Sequence, residues 1–233
     1  MFPDIGARPF GSIQAGVLRS SMNQPIPTTK TTEARDSLID AAVAETVEVG
    51  YGAVSVEGII RRADSSRALF DAHFADKQAA LEAAYECRFE QYLSRVLRAC
   101  EAQSEWPLKV KVGIGVTLDM AAASPVDAQF LVVETMAVSD EFLQQVLDSR
   151  DRLGRLLIGG RTETPQGAEL PGITEAVMVA GIAGVIAAQL RAGETKHLPA
   201  VAPQLVELTL TPYLGREQAA EVARRPRPSL DSQ

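Results

Sequence analysis

The sequence predicts an all-α protein, a small N-terminal three-helix unit followed by a larger helical domain, and three observations carry that expectation. Apolar residues recur at three- and four-residue steps from Leu38 onward, the period of an amphipathic helix. Ala, Leu and Val dominate a composition that is 46% hydrophobic, 23% charged and only 5% aromatic, a balance that suits helices better than aromatic-rich strands. No segment through residue 100 alternates with the period of two that marks a half-buried strand.

Residues 1–30 form an expected flexible arm, since Pro3, Pro9, Pro25 and Pro27 interrupt any helical period. Thr31 and Thr32 offer cap oxygens to a first helix whose Leu38, Ile39, Ala42, Val43, Thr46 and Val47 share one face, and Gly50 stops it. Ser55 caps a short second helix with Val56, Ile59 and Ile60 inward. Ser65 and Ser66 cap a third with Ala68, Leu69 and Ala72 on its apolar side. Asp76 opens a long fourth helix along the stripe Leu81, Tyr85, Phe89, Tyr92, Leu93, Val96 and Cys100.

Pro107 suits the first turn of a helix through Val110, Ile114, Val116 and Leu118. Ser124-Pro125 begins another with Phe130, Leu131, Val133 and Met136. Asp140 begins a third through Phe142, Val146, Leu153 and Leu157, with a stop expected at Gly159-Gly160. Arg161 to Pro171 reads as a loop. Ile173 to Arg191 reads as a nearly all-apolar helix, Val201 to Leu214 as the last one, and 217–233 as a polar tail. The predicted domains are therefore 1–30, 31–78, 79–216 and 217–233.

Bulk properties narrow the function classes. The net charge of −7 and pI near 5.0 disfavour a broadly nucleic-acid-coated surface, though a small local face escapes that test. Two cysteines, Cys87 and Cys100, thirteen positions apart, cannot bond if one helix holds both, so a reducing cytoplasm is expected. The N-terminus lacks the apolar core of a signal peptide, and the apolar stretch Ala176 to Leu190 reads as too short for a bilayer. With two histidines and two cysteines, and His197 without a partner at ligand spacing, neither a metal site nor a cofactor is expected. GxSxG, GxxxxGK[ST] and HExxH are all absent, so no enzyme chemistry is indicated.

The strongest signal lies between residues 34 and 81. A first helix, the corner Gly50-Tyr51, the two-helix unit Ser55 to His73, then Phe74 and Asp76-Lys77 follow in the order of a helix-turn-helix. Gly50-Tyr51, Ser55-Val56-Glu57, Ile59, Arg61-Arg62-Ala63, Ser66-Arg67, Phe70, His73-Phe74 and Lys77 with Leu81 resemble the N-terminal domain of the TetR family of transcriptional regulators. Ser124, Pro125, Ala128 and Glu134, and the ending Leu210 to Gly215, more weakly resemble that family's C-terminal part.

The resemblance implies a homodimer whose N-terminal domain binds operator DNA and whose larger domain binds a small, apolar effector. A repressor on a palindromic operator is expected. Candidate DNA-facing residues are Thr32, Ser55, Ser66, Arg67, Ala68, Asp71, His73 and Lys77, with Lys77 in the position of the family's phosphate contact. Thr31 could donate to phosphate, and Arg8, Arg19 and Lys30 could form a basic arm. Cys100, Trp106, Phe130, Glu134 and Met178 are candidate ligand contacts. The small residues Ala176, Ala180, Gly184 and Ala188, at steps of four, would face a second subunit together with Leu205 and Leu208.

Each residue also has a plainer role open to it. Val56, Ile59, Leu69, Phe70 and Phe74 are explained as core, Arg61 and Arg62 as a solvated face, and His73 as a packing residue at the helix junction. Two departures from the family pattern stand out: Asp64 occupies the turn where glycine is usual, and Asp71 replaces a phosphate-contacting tyrosine. From Ser55 to Lys77, Arg61, Arg62, Arg67 and Lys77 are matched by Glu57, Asp64, Asp71 and Asp76. That neutrality motivates a second reading, a dimeric ligand- or protein-binding module of the same fold that has lost specific DNA binding.

Overall fold

The computed structural model describes residues 29–134 and 140–226, and the basic arm with Arg8 and Arg19 lies outside them. The described residues form helices α1 (Thr29–Val49), α2 (Val56–Arg62), α3 (Arg67–His73), α4 (Lys77–Glu101), α5 (Trp106–Ala123) and α6 (Pro125–Val132). They continue with α7 (Asp140–Glu163), α8 (Pro165–Ala168), α9 (Thr174–Ala192), a 3₁₀ segment (Thr195–Val201), α10 (Ala202–Leu214) and α11 (Arg216–Arg224). Every regular element among the described residues is helical, an all-α fold.

Local chemistry sets the early boundaries. The first helix begins at Thr29, ahead of the expected threonine caps, and ends where Gly50 takes φ +82°. Ser55 Oγ accepts from Gly58 N at 3.1 Å, Ser66 Oγ from Leu69 N at 3.2 Å, and Asp76 Oδ1 from Ala79 N at 2.8 Å. Each cap satisfies an amide that a helix leaves orphaned at its start.

Leu38, Ile39, Val43, Ile59, Phe70, Phe74, Leu81 and Tyr85 close the N-terminal core, as their spacing predicts. The same core also holds Phe130 from α6 and Phe142 and Val146 from α7. Phe142 sits edge-on to Tyr85 at 5.4 Å and tilted to Tyr51 at 6.3 Å. The predicted break after residue 78 is thus not a break in packing.

A second core gathers Trp106, Leu118, Leu157, Leu198, Leu205, Leu210 and Tyr213. Here the structure corrects three expectations. Gly159-Gly160 does not stop α7, which runs on to Glu163. The pair is a seat for Trp106: a Cβ on Gly160 would lie 2.4 Å from Trp106 Cη2 and 2.5 Å from Tyr213 Cδ1, and one on Gly159 2.6 Å from Trp106 Cδ1. The indole fills that seat, stacks edge-on to Tyr213 at 5.0 Å and donates from Nε1 to Leu156 O at 3.2 Å. The expected loop 161–171 contains the single-turn helix α8, whose Gly167 lies against the Gly160 carbonyl.

The expected polar tail contains α11, which buries Ala219, Val222 and Ala223. Its C-terminal carbonyls are capped from another helix. Buried Lys111 of α5 donates from Nζ to Val222 O at 2.7 Å, Ala223 O at 3.1 Å and Arg225 O. An ammonium placed at a helix C-terminus satisfies orphan acceptors and opposes the helix dipole, a long-range pairing that periodicity within α11 does not signal.

Helix α9 is long and apolar enough, by length and composition, to cross a membrane, so the expectation from its shorter apolar run is revised. It is tied into the bundle at its first turn. Arg161 donates from Nε to Glu175 Oε1 at 2.7 Å and from Nη2 to Oε2 at 2.8 Å, and Tyr213 Oη donates to Oε1 at 2.8 Å. Arg161 also donates to the carbonyls of Leu170 and Pro171, each at 2.7 Å.

Two consequences follow for stability. Gly160→Ala places its methyl against two aromatic rings, and calorimetry should show a loss of about 1–3 kcal/mol, the usual cost of overpacking. Burial pushes the Glu175 carboxyl up, but the Arg161 guanidinium and the Tyr213 hydroxyl outweigh it, so it titrates below its ordinary value. A carboxyl whose folded pKa is depressed contributes stability that is present at neutral pH and lost as pH falls through that folded value. The melting temperature should therefore drop on acidification from pH 5 to below the ordinary Glu value of about 4.3, and the drop should be shallower in Glu175→Gln.

Candidate functional site

Helices α2 and α3 present one solvated face. Phe70 is buried and Leu69 half-buried, which turns Arg67, Ala68, Asp71 and Ala72 outward. Arg67 lies at the start of α3, where it donates from Nε to Asp71 Oδ1 at 2.9 Å and from Nη1 to Glu57 Oε1 at 3.4 Å. Ser55 and Ser66 hold their caps as acceptors, and a hydroxyl in that role still has a proton to donate outward. Thr32 is exposed on the first turns of α1, and His73 is half-buried with its ring 6.2 Å from that of Phe74.

Lys77, expected at a phosphate, points inward. Its Nζ donates to Val54 O at 3.1 Å and lies 6.0 Å over the Tyr51 ring, fastening α4 to the α1–α2 corner. Arg62 is drawn back onto α1 by Glu45 (Nε to Oε2, 3.0 Å) and Glu48, and Arg61 reaches Glu45 Oε1 at 3.5 Å. Gly58 makes room for this: a Cβ there would lie 2.1 Å from Glu45 Oε1.

Asp64 is the described non-glycine residue with positive φ, at +47°. Its amide meets Arg61 O at 3.3 Å and the next amide, Ser65 N, meets Ile60 O at 3.0 Å. Those two bonds are the Schellman closure of α2, with Asp64 at the left-handed position that glycine favours.

A cavity of about 530 Å³ opens between α4, α5, α6, α7 and α9. Its walls are mostly apolar, with Phe89, Val96, Ile114, Leu157, Ile182 and Ile186 among them. Tyr92 Oη meets Thr117 Oγ1 at 3.0 Å, and Thr117 Oγ1 donates to Gly113 O at 2.8 Å, so the tyrosine is the donor of the pair. Burial pushes Tyr92 up to about 12 and raises the Cys100 thiol, so both stay protonated at neutral pH. Cys100 Sγ donates to Lys109 O at 3.3 Å.

The charged lining is predominantly cationic: Arg88, Arg95, Lys109 and Arg150 against Asp119 and Asp127. Arg95 and Lys109 have no carboxylate partner among the described residues. Arg88 has two. It bridges Asp40 of α1 and Asp127 of α6, the latter at 3.0 Å, while Ser124 Oγ donates to Asp127 Oδ2 at 2.7 Å.

Of the expected ligand contacts, Cys100 lines the cavity and the other four do not. Trp106 sits in its glycine seat, Phe130 in the N-terminal core, and Met178 packs on the second core. Glu134 accepts from Gln129 Nε2 at 2.9 Å at the end of α6. Tyr92, Thr117, Arg95 and Lys109 were missed. One signal in the sequence points their way: Gly113 leaves the face of α5 beside Cys100 clear, since a Cβ there would lie 3.3 Å from Cys100 Sγ.

Ala176, Ala180, Gly184 and Ala188 are all exposed along one face of α9. Ile173 and Val177 beside them are 66% and 54% exposed, and Leu208 of α10 is 65% exposed. Leu205, expected on that outer face, is buried in the chain's own core. No group of three or more His, Cys, Asp or Glu among the described residues could hold a metal ion.

Residues 38–84 match the family model for bacterial regulatory proteins of the tetR family. Among solved structures, the fatty acid degradation regulator FadR from Bacillus halodurans is similar in fold, with a TM-score of 0.68 and 17% identity over 79% of this chain and 96% of that one. The regulator FadR from Bacillus subtilis, solved in complex with stearoyl-CoA, has a TM-score of 0.64 and 19% identity over 77% and 98%. A TetR-like regulator from Rhodococcus sp. RHA1 has a TM-score of 0.65 and 19% identity over 76% and 94%. No curated protein matches the sequence.

The turn after α2 yields a direct test. Asp64→Gly relieves the left-handed backbone and removes an anion from a helix C-terminus, against the extra chain entropy of glycine. Chemical denaturation should show a net gain of about 0.5–1 kcal/mol.

Proposed function

We propose that this chain, a tetR-family member through its residues 38–84, is a ligand-responsive, DNA-binding transcriptional repressor that acts in the cytoplasm as a homodimer on a palindromic operator. In this reading residues 31–78 read DNA and residues 79–216 bind effector and partner subunit. The observation that carries it is Arg88, which belongs at once to the cavity wall and to the carboxylates of α1 and α6.

The effector we assign is an amphipathic anion: an apolar chain in the cavity and an anionic end at Arg95 and Lys109, of the acyl-CoA class. The apolar walls and unpaired cations support this class, as does the stearoyl-CoA bound to the similar Bacillus subtilis regulator. An anion that draws Arg88 from Asp40 and Asp127 loosens α1 from α4 and α6, and the recognition helices lose their operator spacing. Such a ligand acts only through tighter binding to one arrangement than to the other.

The exposed α9 face, with its small residues for close approach and Ile173, Val177 and Leu208 around them, supports pairing with a second copy into a four-helix bundle. Two recognition helices about one DNA turn apart then match a palindrome. A second reading, a dimeric module without specific DNA binding, is favoured by one observation: Arg67 is held by both Glu57 and Asp71.

Binding of the purified protein to genomic fragments, including the region upstream of its own gene, separates the two. A DNA-binding regulator should select a fragment and lose affinity steeply with added salt, and a long-chain acyl-CoA should release it. Arg88→Gln should retain acyl-CoA binding by calorimetry but weaken that release. Absence of selective binding at low and physiological salt would leave the DNA-silent module.

A further inference from the structure

On the outward face of α3 the polar side chains are Arg67 and Asp71, flanked by Ala68 and Ala72. The two are four residues apart, paired at 2.9 Å, and their side chains are 61% and 49% exposed, open to a partner from solvent. An arginine alone on such a face would serve phosphate or guanine. The carboxylate beside it is the feature that needs explaining.

A carboxylate brought against DNA is repelled by the phosphates unless a donor receives it. In the major groove the amino groups of cytosine (N4) and adenine (N6) are such donors, and adenine also offers the N7 acceptor, which a carboxylate cannot satisfy. Cytosine is therefore the better partner for Asp71. Arg67 supplies the complementary half, donating to guanine O6 and N7. Because the two side chains meet on one exposed face of α3, the base edges they reach lie close together. The alanines present methyl groups alone and let the helix approach closely.

We propose that Asp71 is a specificity-determining residue that reads cytosine, with Arg67 reading the guanine next to it. This rests on the DNA-binding reading above. The pair then does two jobs: without DNA it neutralises itself, and in the groove each partner exchanges the other for a base edge. Glu57, 3.4 Å from Arg67, is a third participant that must release the guanidinium on binding.

Selection of binding sites from a randomised duplex pool, run on the full chain and its variants, tests the assignment. The parent protein should enrich half-sites with a guanine beside a cytosine. Asp71→Asn should shift the cytosine position toward adenine, because an amide pairs with adenine N6 and N7. Asp71→Ala should lose the cytosine preference by on the order of tenfold while binding random DNA more tightly at low salt. Arg67→Ala should lose the guanine preference. Melting curves of these exposed-site variants identify any that fail to fold, and the remaining variants carry the test. If Asp71→Asn and Asp71→Ala enrich the same bases as the parent, Asp71 reads no base and the proposal is overturned while DNA binding stands. If the parent itself enriches no sequence, the DNA-binding reading falls and takes this proposal with it.

Discussion

Helix α4 is the member on which the rest of the structure depends, because it belongs to both ends of the molecule without interruption. Over its 25 residues, Ala80, Leu81, Ala84, Tyr85, Phe89 and Leu93 close the N-terminal core, and Val96, Ala99 and Cys100 form the smaller cluster against α5. A continuous helix of that length spans about 37 Å at 1.5 Å per residue and cannot bend locally without breaking backbone hydrogen bonds. Lys77 pins its start to the Val54 carbonyl, and Arg88 ties its middle to α1 and α6. On the proposed effector reading, a displacement of α4 at the cavity is carried to α1 by the same rigid body. Coupling of this kind needs a helix with two packed neighbours and a ligand that prefers one of its positions, not a chain of small adjustments.

Charge compensation is the second organising feature. Arg61, Arg62 and Arg67 each meet a carboxylate of this chain, so the helix-turn-helix unit is electrically quiet before it meets any partner. Exposed pairs of this type contribute little to stability, typically well under about 1 kcal/mol, and their effect falls on binding instead. An arginine released from carboxylates to meet DNA gains less than a free one. On the proposed DNA-binding reading that exchange lowers affinity, and the need to find partners for the carboxylates raises selectivity. The cavity edge is built the opposite way, with Arg95 and Lys109 without a carboxylate partner among the described residues. One face of the molecule is neutralised in advance and the other keeps positive charge in reserve.

Packing in the larger domain depends on missing side chains as much as on present ones. Gly159 and Gly160 give Trp106 its place across α7, and Tyr213 closes the far side while its hydroxyl completes the Glu175–Arg161 pair. One aromatic contact thus joins α5, α7, α9 and α10. Lys111 extends the same logic to the C-terminus by supplying from α5 the cap that α11 lacks.

How much of this was legible in advance depends on the range of the interaction. Caps at Ser55, Ser66 and Asp76, the apolar face of α1 and the stripe of α4 act within a few residues, so spacing alone determined the helix-turn-helix and its core. The exposed small-residue face of α9 was legible for the same reason. Gly159-Gly160 was misread because two adjacent glycines lower helix propensity, and what overrides that propensity is an indole from a helix about 50 residues earlier in the chain. The tail was misread because Lys111, more than 100 residues away, supplies its cap. The inward turn of Lys77, the reach of Arg67 to Glu57 and the cavity lining likewise required knowing which helices meet. Periodicity assigns a residue to a face, and only the packing of five helices around an empty volume decides whether that face is core, cavity or partner surface.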